Sequence, residues 1–261
     1  MNKVLITDPI DQSGIDILSQ VAQVDQKIGI SESDLAVIIQ DYDALMIRSG
    51  TQVTGQIINS SKNLRIIGRA GVGVDNVDVK AATQKGVLVV NSPGGNTIAA
   101  AEHTIAMMLA LSRNIPIANS SMFEGKWERK KFVGNELFKK KLGVVGLGKI
   151  GTHVAKVANA MGMEVLGYDP FVSNERAQQL QVKLSELDIL FQDSDYVTLH
   201  LPRTVETENL VDNKVLKSMK HTAKLINCAR GGIIDEEALA EALNNSFIGG
   251  AAIDVYSEEP L

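Results

Sequence analysis

Two periodicities alternate along this chain. Short runs of consecutive apolar residues, the pattern of strands buried on both faces, are separated by stretches in which apolar residues return every three or four positions. Runs at residues 4–7, 44–47, 64–67 and 87–90 predict strands. Between them Ile15, Leu18 and Val21 or Ala22 predict a helix with Ser13 as its cap, and Leu35, Ile38 and Ile39 a second helix opened by residues 31–34. Residues 53–60 and 77–84 also read as helical. The alternation predicts a doubly wound parallel sheet lying within residues 1–94. After the break at Ser92-Pro-Gly-Gly-Asn96, one long Ala-rich helix is predicted from Thr97 to about Ser121, with Met107 and Met108 as core filler. The strand rhythm then returns at residues 142–145, 163–168, 196–200, 223–227 and 248–253, with a helix over 152–161. Residues 95–261 therefore read as that helix followed by a second doubly wound domain.

Gly146-x-Gly-x-x-Gly151 stands between the strand at 142–145 and the helix after it. At such a turn the first glycine permits the tight bend, the second lets a pyrophosphate approach the backbone, and the third lets the helix lie close to the strand. The helix start adds free N–H groups and a partial positive charge. The next strand ends in Asp169, 18 residues beyond Gly151, where an acid bonds the ribose hydroxyls of a bound dinucleotide. A carboxylate there repels a 2′-phosphate, so NAD is favoured over NADP. In open α/β sheets ligands sit beyond the carboxyl ends of strands. That rule singles out Gly146, Asp169, Pro202, Arg230 and Asp254 in the second sheet, and Arg48, Ser49, Gly71 and Gly73 in the first.

Composition narrows the partners. A net charge of −5 argues against nucleic acid or an anionic membrane. No apolar run approaches the ~20 residues of a membrane span, and the first residues turn polar too early for a signal peptide, so a cytoplasmic place is expected. The single cysteine, Cys228, leaves no disulfide framework and is read as excluding a Cys-based metal site; no metal is expected. The basic run Gly125-Lys-Trp-Glu-Arg-Lys-Lys131 reads by itself as a solvated charged face rather than a functional loop.

Taken together, Gly146-x-Gly-x-x-Gly151, Asn227-Cys-Ala-Arg-Gly-Gly232 and Asp254-x-x-x-Glu-Glu-Pro260 resemble the D-isomer-specific 2-hydroxyacid dehydrogenases. Arg48-Ser49, Ala70-Gly-Val-Gly-Val-Asp75 and Asn91-Ser-Pro-Gly-Gly-Asn96 extend the resemblance over essentially the whole chain. It implies a flavodoxin-like substrate domain and a Rossmann NAD-binding domain that exchange a hydride between NAD and a small 2-hydroxy or 2-oxo acid. By that resemblance Arg230 holds the substrate carboxylate and Glu259 orients a catalytic histidine, with Glu258 a solvated neighbour. Lys149 and Ile150 follow the pyrophosphate, and Val72, Pro202, Thr207 and Cys228 line the cofactor groove. Arg230 borders that groove as well, and Asp254 meets the nicotinamide carboxamide. Arg48, Ser49, Gly71, Gly73 and Asn96 face the substrate. The long helix builds a homodimer or higher oligomer, and the basic loop brings Arg129 to a substrate phosphate in the neighbouring subunit.

The family's acid–base histidine follows the Glu-Glu-Pro in a Pro-His-x-Gly segment, and this sequence stops at Leu261. His103 and His153 read as packing or surface residues, His200 as structural, and His221 as lying at the wrong sheet edge. The expectation is a C-terminally truncated enzyme, inactive as it stands and lacking one helix of the first domain. A glyoxylate or hydroxypyruvate reductase of the same family stays open. So does a catalytically silent NAD-sensing protein akin to the C-terminal-binding corepressors, which also resemble the family.

Overall fold

Alternating strands and helices build two separate parallel sheets in the computed structural model, which describes residues 1–261. They belong to two units, Met1–Asn96 and Thr97–Leu261. In the first unit the strands are β1 (Lys3–Ile6), β2 (Gln23–Gln26), β3 (Ala44–Ile47), β4 (Ile66–Arg69) and β5 (Leu88–Asn91). Their order is β2-β1-β3-β4-β5, the flavodoxin-like arrangement, with its switch point between β1 and β3. The connecting helices are α1 (Gln12–Ser19), α2 (Glu32–Ile38), α3 (Gly55–Ser60) and α4 (Val79–Lys85). Leu5, Leu45, Ile47 and Ile67 meet Leu35, Ile57, Ile58 and Ala82 in one core. On the other face α1 buries Ile15, whereas Leu88 and Val90 of β5 stay 66% and 45% exposed.

The second unit begins with α5 (Thr97–Ser112) and α6 (Ile115–Phe123), then runs through β6 (Lys141–Val145), α7 (Lys149–Ala160), β7 (Glu164–Tyr168), α8 (Asn174–Gln179) and β8 (Lys183–Leu184). It continues with α9 (Leu187–Asp193), β9 (Tyr196–Leu199), α10 (Asn213–Ser218), β10 (Lys224–Asn227), α11 (Glu236–Asn244) and β11 (Gly250–Ile253). The order β11-β10-β9-β6-β7-β8 reverses direction between β6 and β9. Counted within this sheet it is the dinucleotide-binding order 3-2-1-4-5-6. Two cores sandwich the sheet: Ala101, Met108, Val154, Ala155 and Ala158 on one side, and Leu190, Phe191, Leu216 and Leu239 on the other. The α/β class and the two doubly wound parallel sheets agree with the sequence reading. No helix is long and apolar enough to cross a membrane.

Several local expectations need correction. Residues 97–121 form two helices, because Asn114 adopts a left-handed conformation (φ 56°) and Pro116 starts α6 without an amide donor. The cap of α1 is Asp11, whose carboxylate accepts from the Ser13 amide at 2.9 Å. Val53 and Val77, read as helical, pair with each other in a short parallel bridge ahead of α3 and α4. β2 escaped the apolar-run criterion because only Val24 among its four residues is apolar, and β8 because it has just two residues. Both are sheet edges, where less burial is demanded of the sequence.

Candidate functional site

The glycine loop folds as a strand–turn–helix unit at the switch point of the second sheet. Gly146 turns with φ 94°, and a β-carbon there would stand 2.5 Å from the His200 carbonyl oxygen on β9's exit loop. A β-carbon on Gly151 would overlap the Gly146 carbonyl oxygen, so only glycine lets α7 start this close to β6. Gly148 differs: its added β-carbon would meet nothing within 4 Å, so the backbone is open to a ligand. Six helices, α1, α2, α4, α8, α10 and α11, have a side chain accepting from their first turn. At α7 the cap is Gly148 and no side chain does this. A twelve-residue helix with no side chain capping its start, beside an open glycine, suits a pyrophosphate.

Asp169 closes the other side of the loop. Its carboxylate accepts from the Leu147 amide at 2.8 Å and the Phe171 amide at 2.9 Å, which fixes a half-buried anion at the tip of β7. Each oxygen keeps lone-pair capacity for a ribose hydroxyl. The chain thus fits a dinucleotide, and its acid at this position disfavours a 2′-phosphate. Lys149 and Ile150 form the first turn of α7, and Ile150 packs against the core beneath it. After β9, Thr207 Oγ1 donates to the Pro202 carbonyl at 2.7 Å and accepts from the Thr204 amide at 2.8 Å, holding the exit loop folded back.

Beyond β10 and β11 the remaining candidates are brought together. Asn227 is buried, donates to the Arg230 carbonyl at 2.9 Å and accepts from the Ala229 amide at 3.0 Å. This turns the chain sharply. Arg230 Nη1 donates to the Ala229 carbonyl at 2.6 Å, which anchors one side of the guanidinium. A β-carbon on Gly231 would overlap the Tyr256 carbonyl, so the turn after Asp254 lies directly on Arg230's loop. Glu259 Oε1 accepts from the Tyr256 amide at 2.8 Å, while Glu236 holds Ser257 through its amide (2.6 Å) and hydroxyl (3.0 Å).

At the start of this edge, His103 on α5 reaches Asp254, with Nε2 3.2 Å from Oδ1. Cys228 lies beside them, and the three ligand atoms fall within 4.8 Å of one another. Counting cysteines did not reveal this mixed set, because its members come from α5 and from the residues just beyond β10 and β11. Burial pushes the Cys228 thiol up to about 11, so it is a poor nucleophile at neutral pH. Of the other histidines, His153 lies on α7 and His221 is exposed at the amino end of β10. Burial holds the His200 imidazole down at about 4. None of the four forms an ion pair with Glu259.

In the first unit the candidate residues also share one carboxyl edge: Arg48 and Ser49 after β3, Gly71, Val72 and Gly73 after β4, and Asn96 after β5. Two residues that sequence reasoning passed over hold this edge. Asp8, buried at the end of β1, accepts from the Arg48 amide at 2.6 Å, the Thr51 amide at 3.1 Å and the Thr51 hydroxyl at 2.9 Å. Buried Asn76 donates to the Arg48 carbonyl at 2.7 Å and the Thr51 carbonyl at 2.6 Å. Asp8→Ala is expected to lower stability by about 3 kcal/mol, since it leaves these donors unpaired; urea unfolding reads the effect. Asn91 Nδ2 similarly pins the Val72 carbonyl at 2.5 Å. Arg129 is placed differently, exposed on a 3-10 turn, Arg129–Phe132, between α6 and β6 in the chain.

Fold and site define a protein with a Rossmann dinucleotide-binding unit and a flavodoxin-like companion. Residues 105–261 match the family model of the D-isomer specific 2-hydroxyacid dehydrogenase NAD binding domain, and the chain belongs to that family. A Synechocystis protein named D-3-phosphoglycerate dehydrogenase is 62% identical over 261 residues, 100% of this chain and 47% of its own length. The chain spans about half the length of the curated relatives it matches. Among solved structures, the TT0316 protein of Thermus thermophilus aligns with TM-score 0.91 and 32% identity, covering 99% of this chain and 83% of that one. A D-lactate dehydrogenase of Aquifex aeolicus, solved with NAD and lactic acid, aligns with TM-score 0.89 and 27% identity, covering 99% and 78%.

Proposed function

We propose that the protein oxidises D-3-phosphoglycerate to 3-phosphohydroxypyruvate with NAD, the first step of L-serine synthesis. The 62% identity to the Synechocystis enzyme, unbroken over the whole chain, carries this reading. When bound, NAD would supply the hydride acceptor. The chain's own work is to bind, orient and discriminate. The open backbone at Gly148 and the uncapped start of α7 would hold the pyrophosphate, and Asp169 the ribose. Arg230, a permanently charged fork anchored on one side, would grip the substrate carboxylate and polarise the reacting C–O bond. Glu259 would orient the histidine that takes the hydroxyl proton as the C2–H bond breaks. Residues 1–94 are the substrate-binding lid in this reading, with Arg48, Ser49, Gly71, Gly73 and Asn96 facing the acid. Residues 95–261 are the cofactor-binding and dimer-building part.

An oligomer belongs to the proposal. In α6 only Ser121 is buried, and Ile115, Ile117, Met122 and Phe123 are exposed, as are Trp127 and Val133 beyond it. Apolar surface of this kind fits burial against a second copy. Arg129, carried on the same segment, would then act as a phosphate contact in the partner's site. The test follows NADH consumption by the native protein with phosphorylated and unphosphorylated hydroxypyruvate and with glyoxylate. A strong preference for the phosphorylated acid, eroded by Arg129→Ala, is the expected result. Equal turnover of all three would favour a glyoxylate or hydroxypyruvate reductase.

A further inference from the structure

Three side chains of different donor type converge at the carboxyl edge of β10 and β11. Asn227 and Ile253 are register partners on adjacent parallel strands, so the next residues, Cys228 and Asp254, emerge side by side. His103 reaches the pair from α5, a helix that packs on these strands; Lys224 Nζ on β10 donates to the Leu111 carbonyl at 3.0 Å. The scaffold is therefore two strand ends and a docked helix. His103 Nε2 and Asp254 Oδ1 stand 3.2 Å apart. Two ligands bound tetrahedrally to zinc at 2.0–2.1 Å stand about 3.3 Å apart, so an ion inserted between them needs almost no movement. A zinc-bound sulfur lies about 3.6 Å from its neighbouring ligands, whereas the three atoms here fall within 4.8 Å. A side-chain rotation of about an ångström closes that gap. His103 and Asp254 are 47% and 46% exposed, which leaves an entry path.

We propose that His103, Cys228 and Asp254 form an open three-ligand site for a thiophilic divalent cation of the zinc class, whose fourth position is left to water. Sulfur and imidazole select zinc-like ions over magnesium or calcium, and the carboxylate with the thiolate balances a double positive charge. Binding converts the Cys228 thiol to a metal-bound thiolate and releases its proton to solvent. The ion takes the carboxylate that, on the NAD reading above, meets the nicotinamide carboxamide. Cation and dinucleotide therefore exclude each other, and this second half of the proposal rests on that reading.

Cobalt(II), which reports sulfur ligation by a near-ultraviolet charge-transfer band, is titrated into the full chain without nucleotide. One equivalent with that band is expected, lost in Cys228→Ser and weakened by about 10- to 100-fold or more in His103→Gln. Since Cys228 is the only cysteine, zinc protection against alkylation reads the same site in the unmodified protein. No sulfur band, or alkylation unchanged by zinc, overturns the site. NADH titrations with and without zinc then separate the two readings. Weaker NADH binding in zinc supports exclusion, and unchanged binding overturns it. A protein that does not bind NADH even without metal contradicts the dinucleotide reading and leaves the cation site standing.

Discussion

On the proposed function, Arg230→Lys in the native protein is expected to lower kcat/KM for the hydroxy acid about 10²- to 10³-fold, the range for losing one charge-stabilising donor. Lysine keeps the charge but not the fork: it cannot bond the Ala229 carbonyl with one nitrogen and offer a planar pair to a carboxylate with the others. NADH affinity and thermal stability should change much less than turnover, because Arg230 only borders the cofactor groove and the pyrophosphate site lies on a different loop. A purely structural arginine gives the opposite pattern, a lower Tm with turnover preserved per folded molecule. Steady-state kinetics beside a thermal melt therefore decides whether this residue handles substrate or only closes the turn.

The second large effect is on acid stability. His200 donates its amide to the Val145 carbonyl at 2.8 Å, and its Nε2 lies 3.1 Å from Thr198 Oγ1. Burial lowers its pKa from 6.5 to about 4, so between these values the unfolded chain binds a proton that the folded chain refuses. Stability therefore rises with pH across that window. The penalty is absent above pH 6.5 and approaches about 3 kcal/mol near pH 4. His200→Gln has no such titration. The stability difference between variant and wild type should shift toward the variant by about that amount between pH 7 and pH 4, as urea unfolding would show. A pH-independent difference would mean that the imidazole keeps an ordinary proton affinity.

What the sequence made legible followed from how strongly each element is constrained. Strands such as β6 and β9, buried on both faces, are written as apolar runs, and the glycine loop is written as residues that permit no substitute. The edge strands β2 and β8 carried no such demand and went unread. The break between α5 and α6 depends on one left-handed asparagine that helical periodicity does not register. Asp8 and Asn76 look like turn residues, and their role in pinning the Arg48 loop appears only once β1 and β3 are adjacent. His103 is the sharpest case. On α5 it reads as a packing or surface residue, and only the docking of that helix against β10 and β11 brings it to Asp254.

Every dehydrogenase role proposed for these residues depends on a dinucleotide at the start of α7. The most direct test is calorimetric titration of NADH and of NADPH into the 261-residue chain under one set of conditions. The expected result is saturable NADH binding with NADPH at least about tenfold weaker, a difference of some 1.4 kcal/mol set by the Asp169 carboxylate. Failure of NADH to bind, or equal affinity for the two, would contradict it.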